Sequence, residues 1–201
     1  MSEITDKVIS IGRKQVAPYG RPNKFITWYC EKYKKPNSWL TAPWCAMFAS
    51  WVGWSAKAGP RFGEYAYCPT WVKWFKDAKR WGTKPKPGAL VFFDWDRDGL
   101  SDHVGIVTEV LAGGKIKSLE GNTRRGSSSN VVYEQTRSAT DVLGYGYWDD
   151  APVQARTYKV VKGDTLSAIG KKFGVAWQKI AELNGIADPK KLQIGTVLKL
   201  P

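Results

Sequence analysis

The stretch Pro43-Trp44-Cys45-Ala46-Met47-Phe48-Ala49-Ser50-Trp51-Val52 constrains this chain most. Met47, Phe48, Trp51 and Val52 recur with helical spacing and make one broad apolar face, which predicts a buried helix. Pro43 suits its first turn, where a missing N–H costs nothing. Cys45 then falls among the unpaired N–H groups and at the positive end of the helix dipole. A thiolate is favoured there, and a cysteine pKa can fall from about 8.5 into the range of roughly 3.5–7.5 when a cationic partner helps. Free cysteine is also among the most buried residue types, so a plain core thiol is the simpler reading of the stretch by itself.

A cysteine nucleophile needs a base, usually an imidazole held by a third polar group. The chain has one histidine, His103. It opens Val104-Gly105-Ile106-Val107, an alternating run that reads as a strand. A second strand-like run, Lys115–Leu119, leads into Leu119-Glu120-Gly121-Asn122-Thr123. A hairpin between the two brings Glu120 or Asn122 beside His103. Either side chain could accept from a ring N–H and fix the tautomer.

Pro-Trp-Cys-Ala-x-Phe, Asp-His-Val-Gly-Ile-Val and Glu-Gly-Asn-Thr, in this order, resemble the CHAP family of papain-like peptidoglycan amidases and endopeptidases. The resemblance covers about residues 1–150. It implies an α+β domain of N-terminal helices packed on an antiparallel sheet. It implies Cys45 as nucleophile, His103 as base and then acid, Glu120 as the group orienting the ring, and Asn122 as a further polar member. The implied reaction is amide hydrolysis, with the N-acetylmuramoyl-L-alanine bond as the expected target and a D-alanyl-glycyl-type or other crosslink as the alternative. No cofactor is required by this chemistry.

Helices are expected over residues 3–17, around Phe25–Tyr33, and over Pro69–Lys79. Pro85-Lys86-Pro87-Gly88 marks a change of pattern. Strands are expected after it at Ala89–Phe93, Val104–Leu111, Ile116–Leu119, Val131–Thr136 and Val142–Trp148, giving an α+β domain with a cleft between its halves. Three cysteines, an odd number, argue against a disulfide framework, and Cys30 and Cys68 are expected to pack as neutral thiols.

Asp94, Asp96, Asp98 and Asp102 occupy relative positions 1, 3, 5 and 9 of a calcium loop, with Gly99 at position 6. Gly105 stands where the bidentate Glu of position 12 belongs. Calcium is therefore the cation this loop could take, and a solvated turn stitched by Asx hydrogen bonds is the alternative.

Beyond a short linker, residues 151–156, the chain reads as strand, helix, helix, strand over residues 157–201. Tyr-x-Val-x-x-Gly-Asp-Thr-Leu and Leu-Asn-Gly-Ile within this βααβ segment resemble a LysM module. The resemblance implies binding of N-acetylglucosamine glycans by Gly163, Asp164, Thr165 and Leu166 together with Asn184, Gly185 and Ile186. Asp164 and Thr165 could equally serve as helix caps. A module holding the glycan, on a linker reaching at most about 20 Å, favours the amide bond nearest the sugar.

The chain carries 31 basic against 18 acidic residues, with 9 against 3 in residues 151–201 alone. Such charge steers toward polyanions, an anionic wall among them. No recognition-helix or RNP-like signature points to nucleic acid, and a single histidine argues against a zinc amidase. Residues 1–6 show no basic region followed by an apolar core, and no run approaches the ~18 apolar residues of a membrane span. The expectation is a monomer made in a host cytoplasm without a Sec signal, not inserted in a membrane, and acting on peptidoglycan after release, as bacteriophage endolysins do.

Overall fold

The computed structural model describes residues 2–149, 156–173, 175–186, 188–189 and 192–200. The chain divides into two compact units, Met1–Val110 with Ile116–Ala151, and Leu111–Lys115 with Pro152–Pro201.

The first unit is α+β. Its helices are α1 (Glu3–Arg13), α2 (Lys24–Lys32), α3 (Cys45–Ala56) and α4 (Cys68–Asp77). Ser2 and Asn23 begin α1 and α2 by accepting from backbone N–H groups of the first turn, as N-caps do. The strands are β1 (Ala17–Pro18), β2 (Trp81–Gly82), β3 (Leu90–Phe93), β4 (His103–Val110), β5 (Ile116–Arg125), β6 (Ser128–Arg137) and β7 (Val142–Gly146). They form one sheet in the order β1-β6-β5-β4-β3-β7-β2, with every pair antiparallel. Leu90, Phe92, Val104, Ile106 and Leu119 join the helices in the main core, while Val91, Phe93, Val107 and Ile116 belong to a second cluster. The alternation along β3 and β4 thus sends successive residues to opposite faces.

Two expectations needed correction. The first helix stops at Arg13 and not at Ala17, because Ala17-Pro18 pairs with β6 at the sheet edge, where a proline lacks no ladder partner. The second strand of the hairpin does not end at Leu119. It continues through Glu120 and Asn122 to Arg125, with its register shifting between Glu120 and Thr123 and Asn122 at φ 55°. A bulge at Gly121-Asn122 accommodates the change of register.

Gly121 also sets how close α3 lies to the sheet. A β-carbon there would sit 2.5 Å from Cβ of Phe48, an atom fixed to the helix backbone. The glycine therefore lets the helix that begins at Cys45 dock directly on the strand that carries Glu120.

The second unit is the expected βααβ arrangement. Strand β8 (Arg156–Lys159) pairs antiparallel with β9 (Val197–Leu200), and α5 (Leu166–Phe173) and α6 (Trp177–Leu183) lie between them in the chain. Val160, Leu166, Ile169, Ile180, Ala181, Leu198 and Leu200 make its core. Linker residues 151–155 lie outside the described residues.

Gly121→Ala should destabilise the first unit by about 1–3 kcal/mol through overpacking. Calorimetry of the whole chain checks this, and the expected result is a lower melting temperature for that unit alone.

Candidate active site

Cys45 is the first residue of α3 and His103 the first of β4. Both are nearly buried, 5% and 4% exposed, and Glu120 on β5 has no exposed surface. His103 Nε2 and Glu120 Oε2 are 3.1 Å apart. Room for that contact comes from Gly105, two residues along β4, where a β-carbon would lie 2.8 Å from Cγ of Glu120.

Glu120 is fully partnered. Its Oε1 accepts from Ser118 Oγ at 2.6 Å and Arg137 Nε at 2.9 Å. Its Oε2 accepts from Arg137 Nη2 at 2.6 Å, Gln135 Nε2 at 2.9 Å and Thr123 Oγ1 at 3.3 Å. These partners come from β5 itself and from the neighbouring rungs of β6, with Ser118 opposite Gln135 and Ile116 opposite Arg137. Burial works against the charge of Glu120, but Arg137 and His103 outweigh it and hold the carboxyl down at about 2.

Burial likewise disfavours a charged His103, yet Cys45 and Glu120 raise it to about 9. Cys45 is held well below the ordinary thiol value. The first cause is a hydrogen bond from Cys68, and burial opposes it; the charge and hydrogen bond of His103 and the Val104 N–H then add to the lowering. These directions favour a thiolate on Cys45 and a proton on His103, each stabilising the other, with Glu120 and Arg137 continuing the alternation of charge. Such a pair is the arrangement in which a cysteine can be activated for attack.

The indole of Trp95, 46% exposed, stacks on His103 at 5.3 Å, and the Arg137 guanidinium lies 5.6 Å from that indole. Of the two residues read as orienters, Glu120 meets the ring. The Asn122 carboxamide instead accepts from Arg21 Nη2 at 2.8 Å. Trp44 is buried, stacks on Phe25 at 5.5 Å, and keeps an unpartnered Nε1.

The sequence reading missed three contributors. Cys68, first residue of α4, has its Sγ 3.9 Å from Sγ of Cys45. It remains neutral as expected, its thiol pushed up by its bond to Cys45 and by burial, but it does not lie apart from the nucleophile. Gln135 and Arg137 are the others. The available signals were Cys68-Pro69, which has the composition of a helix start, and two polar residues alternating on a strand.

In the acidic loop, Asp94, Asp96 and Asp102 bring carboxylate oxygens within 4.8 Å of one another. Asp98 stays outside that group and accepts from Leu100 N at 2.7 Å, so three of the four expected ligands converge. Asx hydrogen bonds are present too, Asp96 accepting from Asp98 N and Asp98 from Leu100 N, while Asp94 accepts from Gly99 N and Asp102 from Trp95 N. They leave Asp94 Oδ1 buried without a partner, which fits a cation better than a closed turn. A divalent cation here would be held by Asp94, Asp96 and Asp102.

In the second unit, Asp164 accepts from Tyr158 Oη and Val161 N, both at 2.8 Å. Thr165 accepts from Ala168 N at 3.1 Å and so caps α5. Leu166 is in the core and Ile186 packs against it, while Gly163 and Gly185 take positive φ. Asn184 donates to the Lys199 carbonyl and accepts from its N–H, both at 2.7 Å, so its side chain acts as a strand partner for β9.

A helix-borne cysteine and a strand-borne histidine lie in an α+β unit, and a small βααβ unit follows it in the chain. The CHAP domain family matches residues 36–122 and the LysM domain family matches residues 158–201. This chain thus carries a CHAP domain followed by a C-terminal LysM domain. Cys45, His103, Glu120 and Asn122 all fall inside the first match. Among similar curated proteins, N-acetylmuramoyl-L-alanine amidase XlyB of Bacillus subtilis is 45% identical over 47 residues, 23% of this chain and 15% of that protein. A lipoprotein NlpD/LppB homolog of Pseudomonas aeruginosa is 42% identical over 48 residues, 24% of this chain and 16% of its own length. The secreted LysM effector slp2 of Pyricularia oryzae is 48% identical over 44 residues, 22% of this chain and 15% of its own length. The chain spans less than a fifth of each of these relatives.

Two measurements check the site. Because the Cys45 thiolate is stabilised, alkylation by iodoacetamide should stay fast well below pH 8 and fall only in acid, whereas an ordinary thiol slows tenfold per pH unit below about 8.5. The rate should be followed by mass spectrometry of the Cys45 peptide. Calcium at 100 times its dissociation constant should stabilise the first unit by about 2.7 kcal/mol. A melting temperature higher in millimolar calcium than in chelator would register it, and Asp94→Asn should abolish the difference.

Proposed function

We propose that this chain hydrolyses an amide bond of peptidoglycan through Cys45, with the LysM domain holding N-acetylglucosamine-containing glycan. The observation that carries this is the Cys45–His103–Glu120 arrangement inside a CHAP domain. The thiolate attacks the amide carbonyl, and the Cys45 backbone N–H at the start of α3 donates to the oxyanion. His103 then protonates the leaving amine, giving an acyl-enzyme. Neutral His103 next takes a proton from water as that water attacks the thioester, and the sulfur departs as thiolate, which restores the starting pair and releases the acid. Glu120 keeps one tautomer and one ring orientation throughout, and Arg137 keeps Glu120 charged.

The favoured bond is the one between the muramoyl lactyl group and L-alanine. The amidase activity printed in the name of the Bacillus subtilis relative supports this choice, as does a neighbouring glycan-binding domain. Crosslink cleavage would run through the same acyl-enzyme, so the catalytic residues do not decide between them. The wall-acting role is endolysin-like, and the density of positive charge in residues 151–201 suits an anionic wall.

Purified peptidoglycan digested with the protein should show new alanine N-termini with crosslinks intact by mass spectrometry. New amines within crosslinks would instead select the endopeptidase. A folded Cys45→Ala variant should release soluble fragments roughly 10³-fold more slowly or not at all. Unchanged release by that variant would sink the mechanism.

A further inference from the structure

Cys45 and Cys68 are both reduced, both first residues of their helices, and both 5% exposed. Their sulfurs are 3.9 Å apart. A disulfide needs about 2.05 Å between sulfurs, so the two need to close by only about 2 Å. We propose that Cys45 and Cys68 form an oxidative modification site, in which a peroxide oxidises Cys45 and Cys68 captures the product as a reversible disulfide.

The two thiols have complementary states. Cys45 is held as a thiolate by its neighbours, and thiolates are what peroxides oxidise. Cys68 is held neutral, and the pair cannot both ionise at that separation. A peroxide is small enough to reach a sulfur that is only slightly exposed. The thiolate attacks one peroxide oxygen, the O–O bond breaks, and hydroxide leaves, giving a sulfenic acid on Cys45. The sulfur of Cys68 then attacks that of Cys45. The S–S bond forms, the S–O bond breaks, and the hydroxyl leaves as water with the proton of Cys68. The net change is two thiols plus hydrogen peroxide to one disulfide plus two waters, with the sulfurs oxidised by two electrons and the peroxide reduced. A dithiol reductant reverses it.

Without a second thiol in reach, a sulfenic acid goes on to sulfinic acid, which such reductants do not restore. Cys68 therefore protects the nucleophile from permanent loss while switching it off. Cys30, buried on α2, forms no disulfide and serves as the internal control. The bond itself depends only on the two sulfurs; the loss of activity that it causes rests on the function proposed above.

The test treats the whole chain with hydrogen peroxide, then with dithiothreitol. Wild type should lose two hydrogens in mass, yield a linked peptide containing Cys45 and Cys68, and regain its wall-releasing activity on reduction. Cys68→Ser should gain oxygen at Cys45 and recover roughly tenfold less of its own starting activity. Cys30→Ser should behave as wild type does. Oxidation of wild-type Cys45 to sulfinic acid with no linked peptide would overturn the proposal, as would equal recovery in Cys68→Ser. A linked peptide in a protein that releases nothing from peptidoglycan would leave this site standing and remove the function.

Discussion

Glu120 is a carboxylate with no exposed surface that keeps its charge, and the site is built outward from that fact. Taking such a group out of water costs several kcal/mol even after relaxation. The cost is offset by a two-pronged Arg137 contact, by three neutral donors, and by His103. Because the carboxylate stays charged, the imidazolium beside it is stabilised; because the imidazolium is stabilised, so is the thiolate beyond it. A neutral Glu120 would break this sequence at its first member. It would offer His103 a weaker acceptor and remove one of the two neighbours that raise it, the other being Cys45 itself, so Arg137 bears on Cys45 through Glu120 and His103.

The sheet makes that chain of charges rigid. Ser118, Glu120, Gln135 and Arg137 meet because β5 and β6 are in one fixed register, and a slip of one residue would turn each of these side chains to the other face. The two glycines act on opposite sides of the same region. Gly105 leaves space for the Glu120 side chain, and Gly121 leaves space for Phe48. Strand β5 and helix α3 are thereby brought close, and neither contact accommodates an added methyl group without displacement. The site is therefore positioned by absences of side chain as much as by the side chains that line it.

Much of this was legible in the sequence, for local reasons. A proline followed by aromatic residues at helical spacing announces α3 and places Cys45 in its first turn. A single histidine leaves one candidate base. Alternation identifies β4 and the start of β5. The parts that were not legible depend on what lies across a ladder or between helices. Arg137 reaches Glu120 only because β6 pairs antiparallel with β5 in the observed register, and Cys68 meets Cys45 only because two helix starts converge. Asn122 sits two residues from Glu120 and looked interchangeable with it. The bulge at Gly121-Asn122 separates their roles by turning the carboxamide to Arg21. Asp98 fits calcium-loop spacing, yet its carboxylate closes on a local N–H, an outcome that spacing alone does not exclude. In the LysM domain the side chains of Asp164, Thr165 and Asn184 hydrogen-bond within the fold itself, so motif residues there also carry structure.

The identity of residue 68 bears on why two thiols share the site. Stabilising a thiolate requires a donor, and a serine hydroxyl is a stronger donor than a thiol, whose S–H is weak. If hydrogen bonding were all that position 68 supplied, sulfur would be the poorer choice. The pair also carries a liability that a hydroxyl would avoid, because two adjacent thiols are open to oxidation together. What sulfur would add at that position, under the modification proposed above, is the capacity to form and release a covalent bond with Cys45. The 3.9 Å separation is too long for a bond, and about 2 Å of closure would bring the sulfurs to disulfide length.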